Sequence, residues 1–106
     1  MAERKILICK TTELAPGQMK KFKVGFRQAL IINLGTRHKA YYDFCTHQGG
    51  ALKIREGKFE CLRHFSTFDM ETGARLEGQA PEGSALGEIP LITEGDEIFC
   101  IWTLPE

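Results

Sequence analysis

Long apolar runs are missing from this 106-residue chain. No stretch approaches the roughly eighteen consecutive apolar residues that a membrane-spanning helix needs. No secretory leader is expected either. Met1-Ala2-Glu3-Arg4-Lys5 leads into a short apolar stretch that Lys10 breaks, with no small-residue cleavage site behind it. The expectation is a cytoplasmic protein with no membrane partner. Net charge is zero, from 14 Lys/Arg against 14 Asp/Glu, so the overall charge carries no nucleic-acid footprint. Helical periodicity is absent: no window of helical length has apolar residues recurring every 3.6 positions. Catalytic signatures are absent as well. There is no triad order, phosphate loop, His-Glu-x-x-His helix, or flavin or nicotinamide fingerprint, which argues against an enzyme in its own right.

What is present is a series of short strand-like segments. Arg4–Lys10 carries Ile6, Leu7, Ile8 and Cys9, all apolar and strand-prone. Pro16-Gly17 marks a turn. From Lys20 to Phe26, Lys21, Lys23 and Gly25 alternate with Phe22, Val24 and Phe26, the period of a half-buried strand. Ala29–Leu34 is an apolar run consistent with a buried strand, and Gly35-Thr36-Arg37-His38 reads as a polar turn with His38 at the surface. Further strands are expected over Lys39–Phe44, Lys58–Cys61 and Phe65–Met70, the last closed by a turn at Glu71-Thr72-Gly73. Glu77–Leu86 reads as a loop. Glu88–Thr93 and Glu97–Thr103 read as a hairpin about Glu94-Gly95-Asp96, and Cys9, Cys100 and Trp102 read as core residues on their strands. The fold class is therefore all-β, an antiparallel sandwich or barrel, in one domain over 1–106. Charge is uneven along the chain. Residues 1–68 hold 13 Lys/Arg against 5 Asp/Glu, and residues 69–106 hold 1 against 9. Interleaving of strands from the two parts would mix these charges on the folded surface.

Two short stretches carry the chemistry. Cys45-Thr46-His47 and Cys61-Leu62-Arg63-His64 each offer one thiolate and one imidazole, with thirteen residues, Gln48 to Glu60, between the pairs. Four Cys in the whole chain also allow two disulfides, which suit a secreted domain, but no export signal accompanies them. A tetrahedral Cys₂His₂ zinc site uses the same donors. Zinc spacing usually groups Cys with Cys and His with His, whereas each pair here mixes the two. In Rieske [2Fe–2S] centres two His replace two Cys on one iron, which also matches the donor count. Cys45 and Cys61 as plain buried thiols, with His47 and His64 as polar loop residues, is the remaining reading, and two such mixed pairs make it the weaker one.

The chain resembles Rieske-type ferredoxins. The resemblance rests on Cys45-Thr46-His47-Gln48-Gly49-Gly50-Ala51-Leu52, on Cys61-Leu62-Arg63-His64, on Phe68-Asp69-Met70-Glu71-Thr72-Gly73, and on a tail through Leu86-Gly87-Glu88-Ile89-Pro90-Leu91 and Glu94-Gly95-Asp96-Glu97. It covers nearly the whole chain and implies a free-standing domain with a small cluster-binding part, about 44–70, built of two loops. It implies one [2Fe–2S] cluster per chain, with Cys45 and Cys61 on the inner iron and His47 and His64 on the outer one. Gly49 and Gly50 would let backbone approach the cluster, and a loop containing Pro81 would help cover it. Ser66, two after His64, stands where high-potential Rieske proteins of the cytochrome bc complexes place a hydrogen-bond donor. Phe68 stands where the same proteins carry a Tyr, and Gly50 and Arg63 where they carry a disulfide. A low-to-intermediate potential is the expectation. Two departures from the family pattern concern the loop path: Phe65 follows His64 where Gly is common, and the stretch between the pairs is a few residues short.

The resemblance implies a soluble, monomeric electron carrier that takes single electrons from a flavoprotein reductase. It would pass them to a terminal oxygenase or other oxidoreductase, as do the ferredoxin components of aromatic-ring dioxygenases. A small Rieske subunit of a larger enzyme, such as a nitrite-reductase-like complex, is the alternative within the family, and a structural zinc-binding interaction domain the alternative outside it. Lys53, Arg55, Lys58 and Arg63 are placed either to form a basic rim that steers an acidic partner or as an ordinary solvated surface.

Overall fold

Ala29 to Asn33 are buried without interruption in a strand that runs Arg27–Asn33. Strand side chains alternate between faces, so such a strand must have a core on each side. The computed structural model, which describes residues 2–25, 27–43, 52–61, 66–78 and 83–104, shows both cores. Leu30 and Ile32 pack with Tyr41, Leu52, Phe59, Cys61, Phe68 and Leu86. Ala29 and Ile31 face the other way, into Cys9, Leu14, Val24, Ala40, Ile89, Ile98 and Cys100. The next strand divides its side chains in the same manner, Ala40 to one core and Tyr41 to the other.

The strands are β1 (Ala2–Lys10), β2 (Met19–Val24), β3 (Arg27–Asn33), β4 (His38–Tyr42), β5 (Leu52–Arg55), β6 (Lys58–Cys61), β7 (Thr67–Phe68), β8 (Arg75–Glu77), β9 (Glu88–Ile89), β10 (Leu91–Glu94) and β11 (Glu97–Leu104). They form three antiparallel sheets, β1-β11-β10, β2-β3-β4-β9 and β5-β6-β7-β8. The third contains the Cys61 strand. Among the described residues the only helix is one 3-10 turn, Thr11–Glu13. The all-β antiparallel expectation is therefore met.

Local chemistry explains the joints. Glu56 and Gly57 both take positive φ, 51° and 76°, between Arg55 and Lys58, which face each other across β5 and β6. Two positive φ values give a two-residue turn the twist of the flanking strands. At the head of the β10–β11 hairpin, where Glu94 pairs with Glu97, Gly95 alone takes positive φ, 63°. In β2, Lys21 and Lys23 are exposed, Val24 is buried and Phe22 half-buried, as the alternation requires; Phe26 lies outside the described residues.

Three expectations need correction. Glu88–Thr93 is not one strand. Pro90 has no amide hydrogen to continue a ladder, so the chain changes sheets there: β9 pairs with β4 and β10 with β11. His38 is not a surface turn residue. It opens β4 opposite Asn33 and is half-buried, with an Nε2 that has no hydrogen-bond partner among the described residues. Strands also occur at Leu52–Arg55 and Arg75–Glu77, where no strand is expected from the sequence. Cys9 and Cys100 are buried as expected; Trp102 lies on β11, and its side chain is outside what is described.

Two ion pairs join the basic part of the sequence to the acidic part. Lys5 meets Glu94 at 2.6 Å, and Lys39 meets Glu88 at 2.6 Å.

Candidate metal centre

β6 carries its buried residues to its last position, Cys61, which is fully buried and in no disulfide. Cys61 pairs across the sheet with Leu52, the first residue of β5. The segment with Cys45 and His47, residues 44–51, ends where β5 begins. The other, 62–65, begins where β6 ends. Residues opposite each other in neighbouring antiparallel strands lie about 5 Å apart, so both segments leave from one end of the third sheet. This brings together two stretches that are separated in sequence.

Each segment is closed at its base. The Cys61 amide donates to the Ser66 carbonyl at 2.8 Å, so the chain leaves and returns across one hydrogen bond. At the other segment the Leu52 amide donates to Asp43 Oδ1 at 2.8 Å. Lys21 Nζ spans the same gap, donating to Asp43 Oδ2 and to the Leu52 carbonyl, both at 2.7 Å. A third segment, 79–82, leaves from Gly78, whose backbone lies directly on Ser66. A Cβ built on Gly78 would stand 2.5 Å from the Ser66 Cα. Arg75 ties down both flanks of that segment. Its Nη2 donates to the Gly78 carbonyl at 2.7 Å and its amide to the Ser84 carbonyl at 2.9 Å.

Of the expected cluster ligands, Cys61 is described, while Cys45, His47 and His64 lie outside the described residues, as do Gly49, Gly50 and Pro81. Among the described residues no three metal-ligating side chains converge. Ser66 is fully buried, one residue before β7, and Phe68 is fully buried in the core that contains Cys61. The donor set suits an iron–sulfur cluster. Cys61 is a soft sulfur donor sealed from water, at the sheet end from which the segments bearing Cys45, His47 and His64 depart. Buried charge needs a partner charge, and a thiolate at this position would have one in iron. Tyr41, in the same core, meets Phe59 edge-on at 5.7 Å and donates its hydroxyl to the Met70 carbonyl at 3.1 Å. Burial, reinforced by the carboxylates of Glu88 and Asp69, raises its pKa, so it remains a neutral donor.

Among the basic residues near the expected ligands, Lys53 and Arg55 share one carboxylate. Glu60 alternates with Cys61 and faces away from it, nearly buried. Arg55 Nη1 approaches its carboxylate at 3.3 Å and Lys53 Nζ at 3.5 Å. Lys58 is half-buried, and Arg63 lies outside the described residues. The amino-acid sequence displays Lys53 and Arg55 without their counter-ion, because Glu60 faces Lys53 only once the β5–β6 register is known. Nor do sequence patterns single out Lys21, Asp43, Arg75 or Gly78. Asp43 stands two before Cys45, which is the one local signal for it; Lys21 offers none.

Residues 4–101 match the family described as the Rieske [2Fe–2S] domain. The chain is 35% identical over 95 residues to the ferredoxin component of biphenyl 2,3-dioxygenase from Rhodococcus jostii (strain RHA1), with 87% of each covered. It is 30% identical over 96 residues to the ferredoxin component of the alkene monooxygenase system from Xanthobacter autotrophicus (strain ATCC BAA-1158 / Py2), covering 87% of this chain and 76% of that one. Its fold resembles the ferredoxin of carbazole 1,9a-dioxygenase from Nocardioides aromaticivorans IC177, with a TM-score of 0.71 at 22% identity, over 91% of this chain and 95% of that one. The chain belongs to the Rieske [2Fe–2S] domain family, and its cofactor is a [2Fe–2S] cluster.

Proposed function

We propose that this chain is a one-domain electron carrier holding one Rieske [2Fe–2S] cluster through Cys45, His47, Cys61 and His64. The observation that carries this reading is the buried Cys61 thiol at the sheet end from which both ligand-bearing segments leave. When bound, the cluster accepts and releases one electron at a time. The chain's residues hold it and set how readily it does so. Two thiolates and two neutral imidazoles bring less negative charge to the irons than four thiolates would, so an added electron is better tolerated. Cys45 and Cys61 would hold the inner iron, and His47 and His64 the outer one, nearer a partner. The Ser66 side, Gly78 and the Pro81 segment would form the cover that excludes water.

The partners we assign are a flavoprotein reductase as donor and a terminal oxygenase as acceptor. Support comes from the two relatives, both ferredoxin components of oxygenase systems. In this reading the chain is a monomer in the cytoplasm and carries out no chemistry on the oxygenase's substrate. Among the described residues no helix is long and apolar enough to cross a membrane.

An anaerobic redox titration followed by EPR tests the proposal. A red-brown protein whose reduced form gives a rhombic signal, with an average g below that of an all-thiolate [2Fe–2S] cluster, is the expected result. A colourless protein with stoichiometric zinc and no signal on reduction would remove the electron-transfer reading. Copurification with a large enzyme chain would point to a fixed subunit instead of a mobile carrier.

A further inference from the structure

The two ligand-bearing segments are closed by different means, and the difference follows from their lengths. Residues 62–65 are few enough for backbone to close them, through the bond from the Cys61 amide to the Ser66 carbonyl. Residues 44–51 are twice as many. Their flanks, Asp43 and Leu52, are joined by side chains. Asp43 Oδ1 accepts from the Leu52 amide at 2.8 Å, and Lys21 Nζ donates both to Asp43 Oδ2 and to the Leu52 carbonyl at 2.7 Å. The Asp43 side chain is only 7% exposed. Its backbone is tied separately, its amide donating to the Gln28 carbonyl at 2.9 Å. Lys21 sits on β2 between two residues anchored to β3, facing Leu30 across the ladder. The clamp therefore couples the segment's base to the strand that separates the two cores.

We propose that Asp43 and Lys21 are positioning residues for the cluster: together they fix the separation of the two ends of segment 44–51, and with it the placement of Cys45 and His47. This rests on reading those two residues as ligands. The physical argument is about freedom. A longer segment has more conformations to lose, and ends held at one distance by three hydrogen bonds, one of them an ion pair, remove many of them before any metal is bound. Releasing the clamp leaves the ligands present but less fixed. The consequences are faster loss of iron and a wider spread of cluster geometries.

The test uses the cluster-loaded full chain carrying Asp43→Ala, Asp43→Asn, Lys21→Met or Lys21→Arg. Cys45→Ala tests the ligand assignment, and Lys39→Met serves as a control. Lys39 makes a comparable 2.6 Å ion pair with Glu88, away from the segment. Three quantities are read for each: cluster release into a chelator, followed by visible absorbance; the linewidth of the reduced EPR signal; and thermal melting of the β framework. Asp43→Ala is expected to speed release by about tenfold, the lower end of what loss of an outer-shell partner costs, and to broaden the EPR lines. Lys21→Met is expected to move both readouts the same way by less, Lys21→Arg to stay near wild type, and Lys39→Met to leave both unchanged even where it lowers the melting temperature. Should Asp43→Ala fail to fold, Asp43→Asn and Lys21→Met decide by the same two readouts. The proposal falls if the clamp variants release iron at the wild-type rate with unbroadened lines, or if Lys39→Met matches them. Retention of both irons by Cys45→Ala would overturn the ligand assignment and the clamp proposal with it. Loss of the cluster in Cys45→Ala alongside wild-type behaviour of the clamp variants would overturn the clamp alone.

Discussion

Gly78 lies against Ser66 with no room for a side chain: a Cβ there would come within 2.8 Å of the Ser66 Oγ and 2.5 Å of its Cα. Gly78 also has φ +103°, a conformation that side-chain-bearing residues rarely adopt. Gly78→Ala is therefore expected to lose about 1–3 kcal/mol of stability from the backbone conformation alone. It is also expected to displace Ser66 and so change the midpoint potential. Chemical denaturation checks the first effect and a redox titration the second. An alanine variant with wild-type stability and potential would show that the Gly78–Ser66 contact has no bearing on the site.

Ser66 is buried beside the base of the second ligand-bearing segment, and Phe68 is buried two residues on with no hydroxyl to offer. With Ser at one of these positions and Phe at the other, the protein is expected to titrate in the low-to-intermediate part of the Rieske range, which runs from roughly −150 to +300 mV. Ser66→Ala is expected to lower the midpoint further, because a donor near the cluster stabilises the more negative, reduced state. A wild-type midpoint near the top of the range would contradict the reading of Phe68. An unchanged midpoint in Ser66→Ala would contradict that of Ser66.

Removal of iron should affect the two cores unequally. Cys61 belongs to the core with Leu52, Phe59 and Phe68, whereas Ile31, Ile98 and Cys100 belong to the other. Metal bound only by the native state stabilises that state. The iron-free protein is thus expected to unfold at lower denaturant, with amide protection lost first in β5 and β6 and retained in β11. Hydrogen exchange on matched loaded and iron-free samples checks this; uniform loss across all three sheets would refute it.

Stability should fall at alkaline pH. Burial raises the thiol pKa of Cys9, with the Glu13 carboxylate adding to it, and burial raises that of Cys100. For a raised pKa the unfolded chain releases its proton first as pH rises. It then binds fewer protons than the folded chain, and unfolding free energy declines with pH. The contribution is complete below the ordinary thiol value of about 8.5 and is lost as pH climbs toward the raised folded values. Tyr41, also raised, extends the trend upward. A Cys9→Ala/Cys100→Ala variant is expected to show a shallower decline above about pH 8.5 in urea denaturation. An identical slope would exclude these thiols as its source.

Much of this protein is legible in its amino-acid sequence. The alternation in Lys21–Val24 identifies a half-buried strand, and the apolar run after Ala29 identifies a strand buried on both faces. Cys45, His47, Cys61 and His64 stand out as the proposed ligands because sulfur and nitrogen donors in mirrored pairs are rare by chance, and the donor types themselves suggest the metals they suit. What depends on side-chain identity and period-two patterning is local, and local information is written in order along the chain.

Other features depend on partners chosen by the fold. Pro90 can be seen to interrupt a strand, but only the pairing of Ala40 with Ile89 and of Leu91 with Cys100 shows that the chain changes sheets there. Lys53 and Arg55 are visible as positive charges, and they share the Glu60 carboxylate only because the β5–β6 register puts it opposite Lys53. Lys21 and Asp43 stand 22 positions apart, and no spacing rule links them. The sequence by itself determined the metal-binding chemistry and the strand-rich class, since both are properties of residue types at short range. Only the tertiary structure decided which charges are paired, which glycine must stay a glycine, and how the base of each ligand-bearing segment is held. Those follow from contacts between residues distant in the chain, which packing selects and short-range patterns do not encode.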